Sequence, residues 1–146
     1  MSFNLEQANS GYASITSAGL AAGTTTGTFK TSNTLTFIND GVFKSKSATD
    51  NLTFSSGHTA VTASKACLFG VWIDASGNVT TSQGPIVNAG DPCPVPSAPA
   101  ASVTLVGLIK VTTNSSTTFT PGTTGLAASG VTAAYSNCYR MPGSAQ

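Results

Sequence analysis

Nine residues, ACLFGVWID at positions 66 to 74, limit what this chain can become more than any other stretch. Read with a period of two, Cys67, Phe69, Val71 and Ile73 fall on one side and Leu68, Gly70 and Trp72 on the other. Both faces are therefore apolar, as in a central strand covered on each side by a second sheet or by neighbouring subunits. VTLVGLIKV at 103 to 111 has the same character, and VTAAY at 131 to 135 is a shorter third run. Helix is disfavoured throughout. Glu6 is the one glutamate, charged residues make up 8% of the chain, and serine and threonine fill roughly 29% of it. Threonine, valine and phenylalanine suit pleated, half-buried surfaces, whereas the strong helix formers are scarce. The expected fold is all-β, a small antiparallel β-sandwich or barrel-like domain, in a chain of 146 residues that fits one such domain.

Turn chemistry places the hairpins. TLTFI at 34 to 38 alternates, with Leu35 and Phe37 on one face, and Asn39-Asp40-Gly41 then leads into VFKSK. Asp-Gly between alternating runs predicts a hairpin, because glycine accepts the positive φ that such a turn demands. Lys44 and Lys46 share one face of the return strand, which suits an exposed edge protected from further pairing. A second hairpin is predicted at WIDASGNVTTSQG, 72 to 84. Ala75, Ser76 and Gly77 would form its loop, Gly77 would be left-handed, and the side chains of Asp74 and Asn78 would satisfy backbone groups. GDPCPVPSAPA at 90 to 100 holds four of the seven prolines and reads as an extended loop, on the surface or at a subunit contact. Residues 112 to 125 form another loop with a turn at Pro121-Gly122, and at most a turn or two of helix is expected at GLAAS, 125 to 129.

Residues 1 to 33 are polar, small and rich in Gly and Thr. They read as an extended N-terminal arm or lead-in, ordered against a partner or a flexible terminus, ahead of a β-domain at 34 to 146. Phe3, Leu5, Tyr12 and Ile15 are the apolar groups with which such an arm could contact a partner.

Several chemistries find no constellation here. A phosphate-binding surface needs clustered cations, but the six Lys and Arg are scattered except for Lys44 and Lys46, and the net charge is +1. Nucleic acid is therefore not an expected partner. No apolar run approaches the ~20 residues of a membrane span, and MSFNLEQANS lacks the basic and apolar segments of a secretory signal. The expectation is a chain that stays in the cytosol or joins an assembly there. In that setting the sequons Asn51-Leu-Thr, Asn78-Val-Thr and Asn114-Ser-Ser carry little meaning. Cys67, Cys93 and Cys138 are an odd number without paired spacing. With His58 they match a zinc stoichiometry but lack the short knuckle that supplies two ligands, so unpaired thiols are expected. Calcium is disfavoured by the single carboxylate of Asp74-Ala-Ser-Gly-Asn. The lone His58 has no nucleophile elbow beside it, and the acids Glu6, Asp40, Asp50, Asp74 and Asp91 are dispersed. No enzyme and no cofactor is expected. A surface of hydroxyls and small apolar groups has few charges to desolvate when proteins meet, which suits a permanent assembly.

Three segments, in order, carry a family resemblance: TLTFINDGVFKSKSATDNLTF (34 to 54), CLFGVWIDASGNVTTSQGPI (67 to 86) and LVGLIKVTTNSSTTFTPGTTGLAASGVTAAY (105 to 135). The succession of a threonine-rich strand with Asp-Gly-Val-Phe, an apolar strand with Asp-Ala-Ser-Gly-Asn-Val, Gly-x-Ile-Lys-Val-Thr-Thr and Thr-Thr-Phe-Thr-Pro-Gly-Thr-Thr resembles small virion proteins of tailed bacteriophages. Among these it looks like the head decoration, or cement, proteins. The resemblance spans roughly residues 34 to 137, without the cysteines or the proline-rich loop. It implies a structural protein made in the host cytoplasm, binding the major capsid protein on the outer surface of the mature head as a small homo-oligomer, with a trimer favoured. A tail or fibre component that binds a host surface is the alternative.

Overall fold

The computed structural model describes residues 11–139. Among them are eleven strands and no helix: β1 (Tyr12–Ser14), β2 (Leu20–Ala22), β3 (Thr28–Thr31), β4 (Leu35–Asn39), β5 (Val42–Lys46), β6 (Thr49–Thr53), β7 (Lys65–Ile73), β8 (Val79–Gln83), β9 (Val87–Asn88), β10 (Thr104–Thr113) and β11 (Val131–Asn137). All pairings are antiparallel, and the fold is all-β, a small β-sandwich.

One layer is a five-stranded sheet of order β11-β10-β7-β8, with β9 joined to the start of β7. The two long apolar runs lie side by side at its centre, with Phe69 opposite Ile109 and Cys67 opposite Val111. Cys67, Phe69, Val71, Ile73, Ile109 and Val111 are fully buried on the inner face. A register shift between Leu105 and Gly107 turns Val106 inward as well. Gly107 then lies under Leu20: a Cβ there would stand 2.5 Å from Leu20 Cδ1, so this strand glycine makes room for the opposing layer.

The other layer comprises two three-stranded sheets, β1-β4-β5 and β2-β3-β6. They share one register. Tyr12 opposite Asn39 and Leu20 opposite Thr31 lie on a single antiparallel alignment, as do Leu35 opposite Lys46 and Phe29 opposite Leu52. Apart from a one-residue slip between Phe29 and Thr31, this layer is a single three-stranded meander, creased where residues 15–19, 32–34 and 47–48 leave the ladder. The hairpin predicted at 34 to 46 is the tip of a longer ribbon running from 28 to 53. Asp40 and Gly41 close it as a two-residue loop with φ of 51° and 76°, the left-handed pair of a type I′ turn.

Residues 11 to 33 correct the expectation of an arm. They supply β1, β2 and β3 and bury Ala13, Ser14, Ala18, Leu20 and Phe29. Their apolar groups are few but spaced to reach the core, and small residues between them let the strands lie close. GLAAS is likewise a set of turns rather than helix, held by Ala128 N–H donating to Gly125 C=O (3.1 Å), with Leu126 buried. Gly125 and the turn at Pro121-Gly122, where Gly122 has φ 82° and Thr123 N–H reaches Thr120 C=O, keep this stretch from propagating a helix.

Four phenylalanines from separate segments meet between the layers. Phe54 makes edge-on contacts with Phe29, Phe69 and Phe119 at ring separations of 5.3, 5.2 and 6.0 Å, and Phe69 also meets Phe119 at 6.1 Å. Such pairs add about 0.5–1.5 kcal/mol each beyond burial. Val61 and Phe119 exchange two backbone hydrogen bonds of 2.8 Å, which ties the 54–64 and 114–130 loops over one end of the core. Replacing the fully buried Phe69 ring, Phe69→Ala, is expected to cost about 3–5 kcal/mol, read as a lowered urea midpoint at unchanged slope.

Candidate interaction surface

The residues with chemical potential are occupied by structure. At the β7–β8 turn, Asp74 N–H donates to Asn78 C=O (3.1 Å), Gly77 N–H donates to Asp74 C=O (3.1 Å), and Gly77 has φ 84°. The Asp74 carboxylate accepts the N–H groups of Ser76 and Asn78 at 2.9 Å each and the Asn78 side-chain amide at 3.1 Å. Partial desolvation pushes this carboxyl upward, but the bonds from Asn78 and Ser76 outweigh it and hold it below its ordinary value. The cluster is the predicted bend. Asp50 has a similar part at the other end of the meander. It accepts the N–H of Thr24 at 3.0 Å and the Thr24 hydroxyl, which lower its pKa, while Asn51 Oδ1 accepts Thr25 N–H at 2.8 Å.

His58 shares no partner with Asp74. Its Nε2 lies 2.8 Å from Thr81 Oγ1, and its ring stacks edge-on to Phe69 at 5.5 Å. Thr81 Oγ1 already accepts the Ser55 N–H at 2.8 Å, which suits it to donate its own proton to Nε2 of a neutral imidazole. Burial lowers the His58 pKa. Cys67 is buried with Sγ 3.2 Å from Gly84 C=O, and burial pushes its thiol up to about 11; Cys93 and Cys138 are also unpaired. Among the described residues no group of three or more His, Cys, Asp or Glu is placed to hold a metal ion.

The outer face of the five-stranded sheet is of another kind. Leu68 and Trp72 of β7 and Leu105 and Leu108 of β10 form its centre, all half-buried, with Leu105 beside Trp72 and Leu108 beside Gly70. Around them stand Thr80, Ser82, Thr112, Thr132, Ala134 and Ser136. Lys110 is the one charged side chain among the strand residues of this face. The proline-rich loop crosses one side of it. Pro96 is buried over Gly70, where a Cβ would meet Trp72 Nε1 at 2.6 Å and Pro96 Cγ at 3.1 Å. The indole N–H donates to Ser82 Oγ at 2.8 Å, so the nitrogen edge of Trp72 lies over Gly70, as Pro96 does. Next to Pro96, Val95 is 63% exposed. The sequence located the two apolar runs but not this lid. The signal was Gly70, a glycine in a strand interior, which marks close approach of another backbone or ring.

Of the four residues assigned to partner contact, Phe3 and Leu5 lie outside the described residues. Tyr12 and Ile15 are half-buried, on β1 and just beyond it. Tyr12 Oη donates to Ser102 Oγ at 3.4 Å, and Ile15 N–H donates to Thr36 C=O at 2.9 Å, so both belong to the β1–β4 side of the meander. No protein-family model, curated protein or solved structure matches the chain.

Two outcomes are expected from this geometry. Because burial lowers the His58 pKa in the folded chain, the unfolded chain binds a proton more readily than the folded one in the window below the ordinary value of 6.5. Stability should therefore fall as pH drops from 7.5 to 5, and the urea midpoint of His58→Gln should change less over that range. Gly70→Val would drive a side chain into Trp72 and Pro96, costing about 1–3 kcal/mol and exposing the 90–100 loop to limited proteolysis.

Proposed function

We propose that this chain is a structural protein of a tailed-bacteriophage virion, a decoration protein that binds the outer surface of the mature head through the major capsid protein. The three resembling segments supply β4 to β6, β7 with β8, and β10 with β11, which include both central strands. The observation that carries the reading is the outer face formed by two of these segments. It presents Trp72, Leu105 and Leu108 among hydroxyls and methyls, with Lys110 as its one strand-borne charge. Copies of the chain meeting there would desolvate few charges, so this face supports a homo-oligomer, and the resemblance implies a trimer.

A clip of this kind works by mass action. A protein that binds the expanded shell and not its precursor stabilises the expanded shell, as any ligand stabilises the state it prefers. Modest affinity per subunit is multiplied when an oligomer engages several capsid subunits at once. The reading assigns the polar residues to bends and contact surfaces rather than to catalysis.

Cryo-imaging and mass spectrometry of purified particles that carry the chain test the proposal. Density on the outside of heads at a fixed copy number is expected; density confined to tails or fibres would establish the alternative component instead. Leu108→Glu, which places a charge at the centre of the outer face, is expected to shift the purified protein from oligomer to monomer in native mass spectrometry and to weaken head binding at least about tenfold.

A further inference from the structure

Strand β5 is the last strand of its sheet among the described residues. The order β1-β4-β5 leaves one flank of β5 without a neighbouring strand among the described residues. The two-residue turn at Asp40-Gly41 makes Asn39 and Val42 a hydrogen-bonded pair, so the alternation of an antiparallel ladder fixes the rest. Val42, Lys44 and Lys46 direct their backbone groups to β4, while Phe43 and Ser45 direct theirs outward. The same alternation on β4 turns Thr36 towards β1, where its C=O accepts Ile15 N–H. No described residue hydrogen-bonds the outward N–H and C=O groups of Phe43 and Ser45.

Side chains along this edge complete the pattern. Phe43 is 65% and Val42 53% exposed, two of the four large apolar side chains so exposed among the described residues. Val42 shares its face with Lys44 and Lys46, opposite Phe43; the two lysines have neither an ion pair nor a side-chain hydrogen bond to a described residue. A second copy of β5 is a poor occupant. The fullest antiparallel self-pairing that uses the outward groups of Phe43 and Ser45 sets Lys44 against Lys44 of the other copy at a close, non-hydrogen-bonded position.

We infer that β5 is a docking edge for an extended segment of a different protein, one that alternates apolar and acidic residues. Its backbone would bond to Phe43 and Ser45, its apolar side chains would lie beside Phe43, and its carboxylates would face Lys44 and Lys46. The lysines thus have two effects. They block edge-to-edge association of copies and select an acidic strand. The inference goes beyond head decoration and does not depend on it, since the test needs no particle.

The probe is a seven-residue capped peptide alternating valine and glutamate, compared with one alternating valine and lysine. Fluorescence anisotropy measures binding to the full chain, and amide hydrogen exchange locates it. The glutamate peptide is expected to bind at least about tenfold more tightly than the lysine peptide, with the preference shrinking as salt is raised. Exchange should slow at the Phe43 and Ser45 amides. Ser45→Pro removes an outward N–H without breaking a bond to β4, so it should abolish binding while leaving the urea midpoint nearly unchanged. Lys44→Glu with Lys46→Glu should reverse the peptide preference. Equal binding of the two peptides, protection at another edge, or undiminished binding by Ser45→Pro would overturn the inference. Dimerisation of the wild-type chain through β5 would do the same.

Discussion

The inner faces of β7 and β10 have to be taken out of water, and the rest of the molecule is arranged to do it. Phe69, Val71, Ile73, Val106, Ile109 and Val111 are fully buried there and come from two adjacent strands of one sheet. At about 25 cal/mol per Å² the burial of such a face stabilises the fold, but a sheet cannot cover itself. The creased meander supplies the cover. Its crease lets one half bring Leu35 and Phe37 into the core while the other half brings Leu20, Phe29 and, just beyond β6, Phe54.

With so few charges, the chain satisfies its buried backbone with hydroxyls and amides. Thr104 Oγ1 donates to Ile38 C=O at 2.9 Å, joining the two layers; Thr113 Oγ1 donates to Thr62 C=O at 2.6 Å; Thr31 Oγ1 accepts Thr49 N–H at 3.0 Å across the crease. Leu20 N–H donates to Asn137 Oδ1 at 2.9 Å, linking the meander to β11. Each group sits where a ladder stops, and an unpaired peptide group there would cost about 1–3 kcal/mol. Threonine suits this task because its methyl packs and its hydroxyl rotates to either role. The composition that made the surface nearly uncharged therefore also closes the seams of the interior.

Legibility in the sequence followed the range of the interaction. The Asp40-Gly41 and Ala75-Ser76-Gly77 turns were readable because each needs only its own residues to set φ and its own side chains to cap it. The central strands β7 and β10 were readable because apolar groups on both faces leave few alternatives. The start of the chain was not. Between 11 and 33 the apolar residues are sparse, and their burial depends on Gly107 and Phe54, which are far away in sequence. The candidate surface was half legible, since the runs that form it were visible while the loop lying across Gly70 was not.

The residues alone determined an antiparallel all-β chain, the positions of its tight turns and the identity of its core strands, because periodicity and left-handed turn residues act over two to five positions. Only the tertiary structure decided which apolar face stayed half open, which loop lies across Gly70, and that the first strands belong to the body. Those outcomes depend on what packs against what, and no local pattern carries that information.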